Sequence, residues 1–393
     1  MKKIVLAYSG GLDTSYCLTY LSHELGYTIH AVTVNTGGFT EEDIAEMKTR
    51  AGEMGSESFT AIDAIETYYQ NAIKYLIYGN VLRNNTYPLS VSAERIVQAM
   101  EIVNYAKEIG ADGIAHGSTG AGNDQVRFDT IFQTIAPEME IITPIRDSGL
   151  SRQQEIDYLN SKGFDFSWNK AKYSINQGLW GTSVGGAETL TSRQPLPGKA
   201  YPSQPTKTDP VSLKLSFEKG EFVALNDKKD TPVVNIQKLQ EIAAEYAIGR
   251  DIHVGDTIIG IKGRVGFEAA AAILIIKAHH LLEKHTLSKW QLFQKDQLAS
   301  FYGMLLHEGQ YLDAVMRDIE AYLDHSQGYV TGHVFLTLHP HRYELEGIES
   351  EYDLMTSAAG TYGEENKGWS ADDAKGFIKI SANAGKIARQ IQS

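Results

Sequence analysis

Residues 4–15 read IVLAYSGGLDTS, and this stretch decides the fold. Residues 4–8 form a buried-strand run that opens straight into Gly10-Gly11. Residues 14–25 then place apolar positions 17, 18, 21 and 25 on one helical face. A strand, a tight glycine turn and a helix begin an alternating α/β unit. Paired glycines let a backbone approach an anion closely, and the following helix N-terminus offers unpaired N–H groups and a positive dipole end. Ser9, Thr14 and Ser15 add hydroxyls. No lysine follows the glycines, so the loop is not the GxxxxGK[ST] phosphate loop, and its spacing is not GxGxxG.

The alternation continues outward. Residues 29–34 and 58–62 read as strands, with a helix at 41–54 whose first turn is acidic, as the helix dipole prefers. Helices are expected at 64–78 and 93–109, with a loop at 84–90. Residues 113–116, 124–135, 140–144 and 151–162 continue as strand, helix, strand, helix. This spacing predicts a parallel sheet with helices on both faces. After about residue 165 the pattern changes to α+β. Residues 176–210 carry five prolines and read as a linker or excursion. A hairpin at 211–218 and 222–225 follows, then helices near 235–247, 267–285 and 288–325, and a strand at 329–338. A last helix is expected at 370–391, where Ser370 and Asp373 have capping-box spacing.

Composition narrows the function classes. The 393-residue chain has 36 Lys and Arg against 49 Asp and Glu, a formal net charge of −13. Duplex nucleic-acid binding needs basic surface, so no nucleic-acid partner is expected. Cys17 is the single cysteine, which excludes an intramolecular disulfide and a thiolate zinc site. Its place on an apolar helix face predicts a buried thiol. The twelve histidines contain no HExxH, so no metal site is expected. Residues 269–276 are the longest apolar stretch, far short of a membrane span, and the start of the chain lacks a secretory apolar region. No membrane partner and a cytoplasmic location are therefore expected. Trp290, Phe293, Phe301 and Tyr302 have helical spacing and are expected in the core.

A second motif, AHGSTGAGNDQVRFD at 115–129, also follows a strand and precedes a helix. Its glycines bare the backbone to a polar ligand. Asp124 and Arg127, three apart, share a helix face, and an anionic and a cationic group side by side suit a zwitterionic amino acid.

Together these motifs resemble the argininosuccinate synthase family of N-type ATP pyrophosphatases. The likeness extends to Tyr173-Ser174, to Leu179-Trp180-Gly181-Thr182-Ser183 and to Gly376-Phe377-Ile378-Lys379-Ile380, in the same order along nearly the whole chain. The resemblance implies a ligase that joins citrulline and aspartate, with ATP and Mg²⁺, through a citrullyl-adenylate. It implies a nucleotide-binding domain at 1–165, a synthetase domain at 166–360 and a C-terminal oligomerisation helix at 361–393 of a homotetramer. ATP would be held by Ala7, Tyr8, Ser9, Gly10, Gly11, Leu12, Asp13, Thr14 and Ser15, by Val34 and by Gly117. Thr119, Asn123 and Asp124 would contact aspartate. Tyr87, Ser92, Asn123, Arg127, Ser174 and Ser183 would contact citrulline. No catalytic base declares itself. A thiolating relative would want a second cysteine and an amidotransferase a nucleophilic one, and a mere nucleotide sensor would not need the second motif.

The resemblance fails at two places. The family usually sets a glutamate and a tyrosine against citrulline, and the corresponding residues here are Gly255 and Phe267. Citrulline is expected to remain the substrate, with Asp256 or an ordered water in the lost glutamate's place; the alternative is an altered pocket that takes a modified ureido or guanidino substrate. Glu268, expected in a helix, would face about 100° away from residue 267.

Overall fold

The computed structural model describes residues 1–164 and 172–393. The boundary expected at residue 165 lies outside the described residues. Five strands form the first sheet: β1 (Lys3–Ala7), β2 (Thr28–Asn35), β3 (Ser58–Asp63), β4 (Gly113–Ala115) and β5 (Glu140–Ile142). They run parallel in the order β3-β2-β1-β4-β5. Successive side chains of a strand point to opposite faces. Val5, Val32 and Ile114 therefore pack under α5 (Ser90–Glu108) and α6 (Asp124–Ile135). Ile4, Leu6, Ala31 and Ala115 pack against α1 (Leu12–His23), α2 (Glu41–Glu53) and α8 (Arg152–Ser161). Cys17 is buried in this second layer, as expected. The short α7 (Pro144–Ser148) links β5 to α8.

Local sequence explains the element ends. Thr40 Oγ1 accepts from the Asp43 N–H at 3.1 Å, and Asp43 reaches back to the Thr40 N–H at 2.9 Å, so α2 starts on a capping box. The helix expected over 64–78 is interrupted: α3 (Ile65–Tyr68) and α4 (Lys74–Tyr78) flank a π-helical turn over Tyr69–Ile73.

Strand order reverses at β1. The chain moves from β1 to β2 and β3 on one side, then returns through α5 to β4 on the other. The loops leaving the carboxyl ends of β1 and β4 diverge there and open a crevice, the usual ligand position of an open parallel sheet.

The second half differs from expectation in four places. Within the supposed linker, β6 (Ser174–Gly178) and β7 (Gly181–Gly185) form a hairpin. Trp180 at its turn is buried, and its Nε1–H donates to the Pro88 carbonyl at 3.1 Å. Glycine-rich composition here reflects a strand pair pressed onto α5, with an irregular stretch only afterwards. Residues 267–268, expected as the start of a helix, are instead the end of a strand over 262–268. β11 (Arg250–Asp256) and β12 (Lys262–Glu268) complete an antiparallel sheet in the order β11-β12-β7-β6. β12 is held on both edges, by β11 and β7, and this pairing outweighs a weak local pattern. The helix after it, α10 (Ala270–Thr286), begins later than expected. The long helix expected at 288–325 is two, α11 (Lys289–His307) and α12 (Ala314–Ser326), the second restarted by Asp313 accepting from the Val315 N–H at 2.9 Å. On α11 the buried side carries Ala299, Tyr302 and Leu306. Trp290, Phe293 and Phe301 lie on the other side, and Trp290 is 69% exposed, so three of the four expected core aromatics are surface residues.

A third sheet, β8 (Val211–Glu218), β9 (Glu221–Leu225), β10 (Lys228–Lys229), β13 (Gly332–His339) and β14 (Arg342–Glu349), runs in the order β10-β9-β8-β13-β14. It packs with α9 (Pro232–Ala244) and α10 into the core that also covers the first sheet. The terminal segment is two helices, α13 (Ala371–Ser381) and α14 (Asn383–Gln392), meeting at Ala382. The Ser370–Asp373 capping box starts α13, and neither helix buries a residue.

Candidate active site

The loop after β1 is shaped for an anion. Tyr8 N–H donates to the Val32 carbonyl at 2.8 Å, extending the sheet to the loop's edge. Gly11 is the N-cap of α1, and no side chain caps it, so Asp13 sits inside the first turn and does not close the helix end. The Ser9 and Thr14 hydroxyls are 3.3 Å apart. From α2, Arg50 Nη1 donates to the Gly10 carbonyl at 2.6 Å and ties the loop down. Behind the loop, burial and the neighbouring Asp13 carboxylate push Glu155 well above the usual carboxylate range. Its Oε2 is buried without a hydrogen-bond partner.

The loop after β4 stands beside the first. The Ser118 N–H donates to His116 Nδ1 at 3.2 Å, which places the imidazole proton on Nε2, 2.8 Å from Asp129 Oδ1. Arg146 clamps the other Asp129 oxygen at 2.6 Å. A Cβ on Gly117 would lie 3.1 Å from the Asp13 carbonyl carbon and 3.2 Å from the Thr14 nitrogen, so the two loops touch through a bare backbone. Between them opens a cleft of ≈ 980 Å³, lined by residues 7–14, Val34, Gly117, Thr119, Asn123, Asp124, Arg127 and Ser174. The structure thus gathers at one opening the residues assigned to ATP, except the buried Ser15, with the whole set assigned to aspartate.

Arg95, which sequence reading missed, organises the cleft wall. Its Nε donates to Asp124 Oδ2 at 3.0 Å, its Nη1 to Glu94 Oε1 at 2.5 Å and its Nη2 to Asn176 Oδ1 at 2.8 Å. Arg127 Nη1 holds the other Asp124 oxygen at 2.8 Å. Burial works against charge on Asp124, but Arg95 and then Arg127 hold it below the usual carboxylate range. Burial pushes Glu94 up to about 7 against the pull of Arg95. Arg95 sits on a helix whose local pattern is unremarkable, and its partners lie 29 and 81 residues away. No signal in the sequence marks it.

The candidate citrulline residues divide between two levels. Asn123 and Ser174 line the cleft, where Asn123 Oδ1 also accepts from the Ile258 N–H at 2.9 Å. Tyr87, Ser92 and Ser183 are buried beneath it. Arg127 joins the levels. Its Nη2 donates to Ser92 Oγ at 3.0 Å and its Nε to the His307 carbonyl at 3.0 Å. Ser183 pairs in register with Phe267, whose ring lies 5.4 Å from that of Tyr87.

Asp256 does not fill the place of the missing glutamate. Strand alternation turns its side chain away from Gly255, and it pairs at 2.6 Å with Lys262 on the exposed face. Glu268 is on β12, on the face opposite Phe267, and is taken by Arg250 at 2.7 Å. The residue standing at Gly255 is His253, whose ring stacks on Tyr87 at 5.3 Å.

Comparison with known proteins agrees with this architecture. Residues 3–165 match the family described as "Arginosuccinate synthase N-terminal HUP domain", and residues 173–388 match "Arginosuccinate synthase C-terminal domain". Among curated proteins, an argininosuccinate synthase of Dehalococcoides mccartyi is 35% identical over 396 aligned residues, covering 100% of this chain and 97% of that one. One from Methanocaldococcus jannaschii is 37% identical, covering 92% of each chain. One from Xanthomonas campestris is 35% identical, covering 99% of each.

Proposed function

The chain belongs to the argininosuccinate synthase family, and on that premise we propose how its cleft performs the reaction. The enzyme is a ligase of arginine biosynthesis that joins citrulline to aspartate at the expense of ATP. A ureido carbon is a poor electrophile, because two nitrogens donate into it and oxide is a bad leaving group. Attack of the ureido oxygen on the α-phosphorus of ATP expels pyrophosphate and gives a citrullyl-adenylate. The aspartate amine then adds at the ureido carbon, loses a proton and displaces AMP.

ATP enters as its Mg²⁺ complex, with its phosphates on residues 7–15. The uncapped N–H groups of α1 offset charge on the departing pyrophosphate. Val34 and Gly117 complete the nucleotide subsite. Thr119, Asn123 and Asp124 hold aspartate. Tyr87, Ser92, Asn123, Arg127, Ser174 and Ser183 hold citrulline. Arg95 is added as a positioning residue that fixes Asp124. The chief work of such a site is alignment and charge neutralisation. The observation that carries the reading is the contact of the two loops at Gly117, which sets a phosphate-shaped turn beside an Asp–Arg pair. Incubation with ATP, aspartate and a citrulline substrate should release AMP and pyrophosphate in equal amounts. ADP and phosphate as primary products would overturn it.

The division at 1–165, 166–360 and 361–393 follows the same reading, with the cytoplasm as its compartment. A homotetramer is supported by the terminal helices, where Phe377, Ile378 and Ile380 are all more than 60% exposed. Such a stripe on a projecting arm calls for a cover. Deleting residues 370–393 should lower the mass measured by light scattering, and an unchanged oligomer would remove the idea.

A further inference from the structure

Beneath Arg127, below the cleft, lie buried groups that the mechanism above leaves unused. His307, at the end of α11, places Nδ1 3.2 Å from both Ser92 Oγ and Arg127 Nη2. His253 stacks on Tyr87. The two rings are 6% and 7% exposed. Among the described residues, His253 Nδ1 and the buried Nε of Arg83 have no hydrogen-bond partner, and neither does His307 Nε2, although the Asp256 carbonyl acts on that ring. Arg83 Nη2 donates to the Asp256 carbonyl at 3.1 Å. Buried polar atoms are normally paired, and three orphans in one place point to a ligand that pairs them.

The charges around these atoms say what the ligand is. Arg83 and Arg127 both act on His307, and Arg83 acts on His253. Burial and these guanidiniums keep both rings neutral, pushing His253 down to about 4 and His307 to about 3. Asp124 is spent on Arg95 and Arg127, Asp256 on Lys262, and Glu308 acts on Arg83. An α-ammonium beside these rings would meet the charges of both Arg83 and Arg127 against the single carboxylate of Glu308. A Cβ at 255 would fall 2.6 Å from His253 Nε2, so a side chain there and the imidazole in its present place exclude each other. An amide suits the same groups. Its carbonyl accepts from Arg83 or an imidazole N–H, and its N–H donates to an imidazole lone pair.

We propose that the citrulline adenylated by this enzyme carries an acyl group on its α-nitrogen, with His253, His307 and Arg83 as the subsite for that amide. The proposal rests on the ligase reading above and specifies its substrate class. The bonds made and broken are unchanged: ATP, N-acylcitrulline and aspartate give AMP, pyrophosphate, N-acylargininosuccinate and a proton, and the acyl amide stays intact.

The test compares kcat/KM for AMP release by the full-length enzyme with L-citrulline, N-acetyl-L-citrulline and N-succinyl-L-citrulline. At least one acylated compound should exceed free citrulline tenfold or more. Free citrulline equal to or better than both would overturn the proposal and leave the ligase reading standing. No AMP release with any of the three would overturn both. The double variant His253→Ala/Gly255→Glu exchanges the imidazole for a carboxylate. If folded by its melting profile, it should shift the preference tenfold or more toward free citrulline, and an unchanged preference would remove His253 from the subsite.

Discussion

Asp124→Asn is expected to lower kcat by about 10²–10³-fold, the loss typical when one preorganised charge is removed from a reacting centre. The carboxylate is held by Arg95 at 3.0 Å and Arg127 at 2.8 Å, and it faces the cleft between the two ligand loops. The amide keeps the shape but leaves two guanidiniums without their shared counter-charge. From the sequence, Asp124 and Arg127 read as neighbours on a helix face, a pair whose loss would scarcely affect stability. The structure changes that expectation. The Arg127 side chain is 4% exposed, so the variant should also lose about 1–3 kcal/mol of stability. In a protein of this size that lowers Tm by about 1–4 °C. Steady-state AMP release and a thermal melt together check it. A variant that melts lower yet turns over normally would make the pair purely structural.

Gly117→Val is expected to lower kcat/KM for ATP by about 100-fold, the scale of a misplacement of about 1 Å at a reacting centre. An added Cβ would press on the backbone of Asp13 and Thr14 at 3.1–3.2 Å, closer than most such contacts. The yielding element would be the turn that Arg50 anchors through Gly10. Because β4 itself is unaltered, folding should survive and the defect should appear in ATP KM and kcat while the KM for aspartate moves less. Wild-type ATP kinetics would show that the two loops are not mechanically coupled.

The α/β half was legible because its elements are decided locally. Residues 4–15 carry a strand, a turn and a helix start within twelve positions, and Thr40 with Asp43 or Ser370 with Asp373 cap helices by short-range bonds. The same holds for the loops at 9–15 and 117–124. The roles proposed for them rest on backbone N–H groups and small residues, which are written in consecutive positions. Where long-range pairing decides, the reading failed. The end of β12, at residues 267–268, resembles a helix start until β7 and β11 pair with its edges, and residues 176–185 resemble a linker until Trp180 is buried.

The sequence by itself determined the class of sheet, the glycine turn after β1 and the family. It also showed that residue 255 carries no side chain and residue 267 no hydroxyl. Only the tertiary structure decided what stands in their place. His253 lies two residues from Gly255, yet its ring takes that space only because Tyr87 stacks upon it. His307 reaches Ser92 across 215 residues and Arg127 across 180. Arg95 meets Asn176 across 81. A one-dimensional pattern records propensities and local spacing, whereas the charge balance and unpaired atoms of a pocket depend on which distant side chains the packed core brings together.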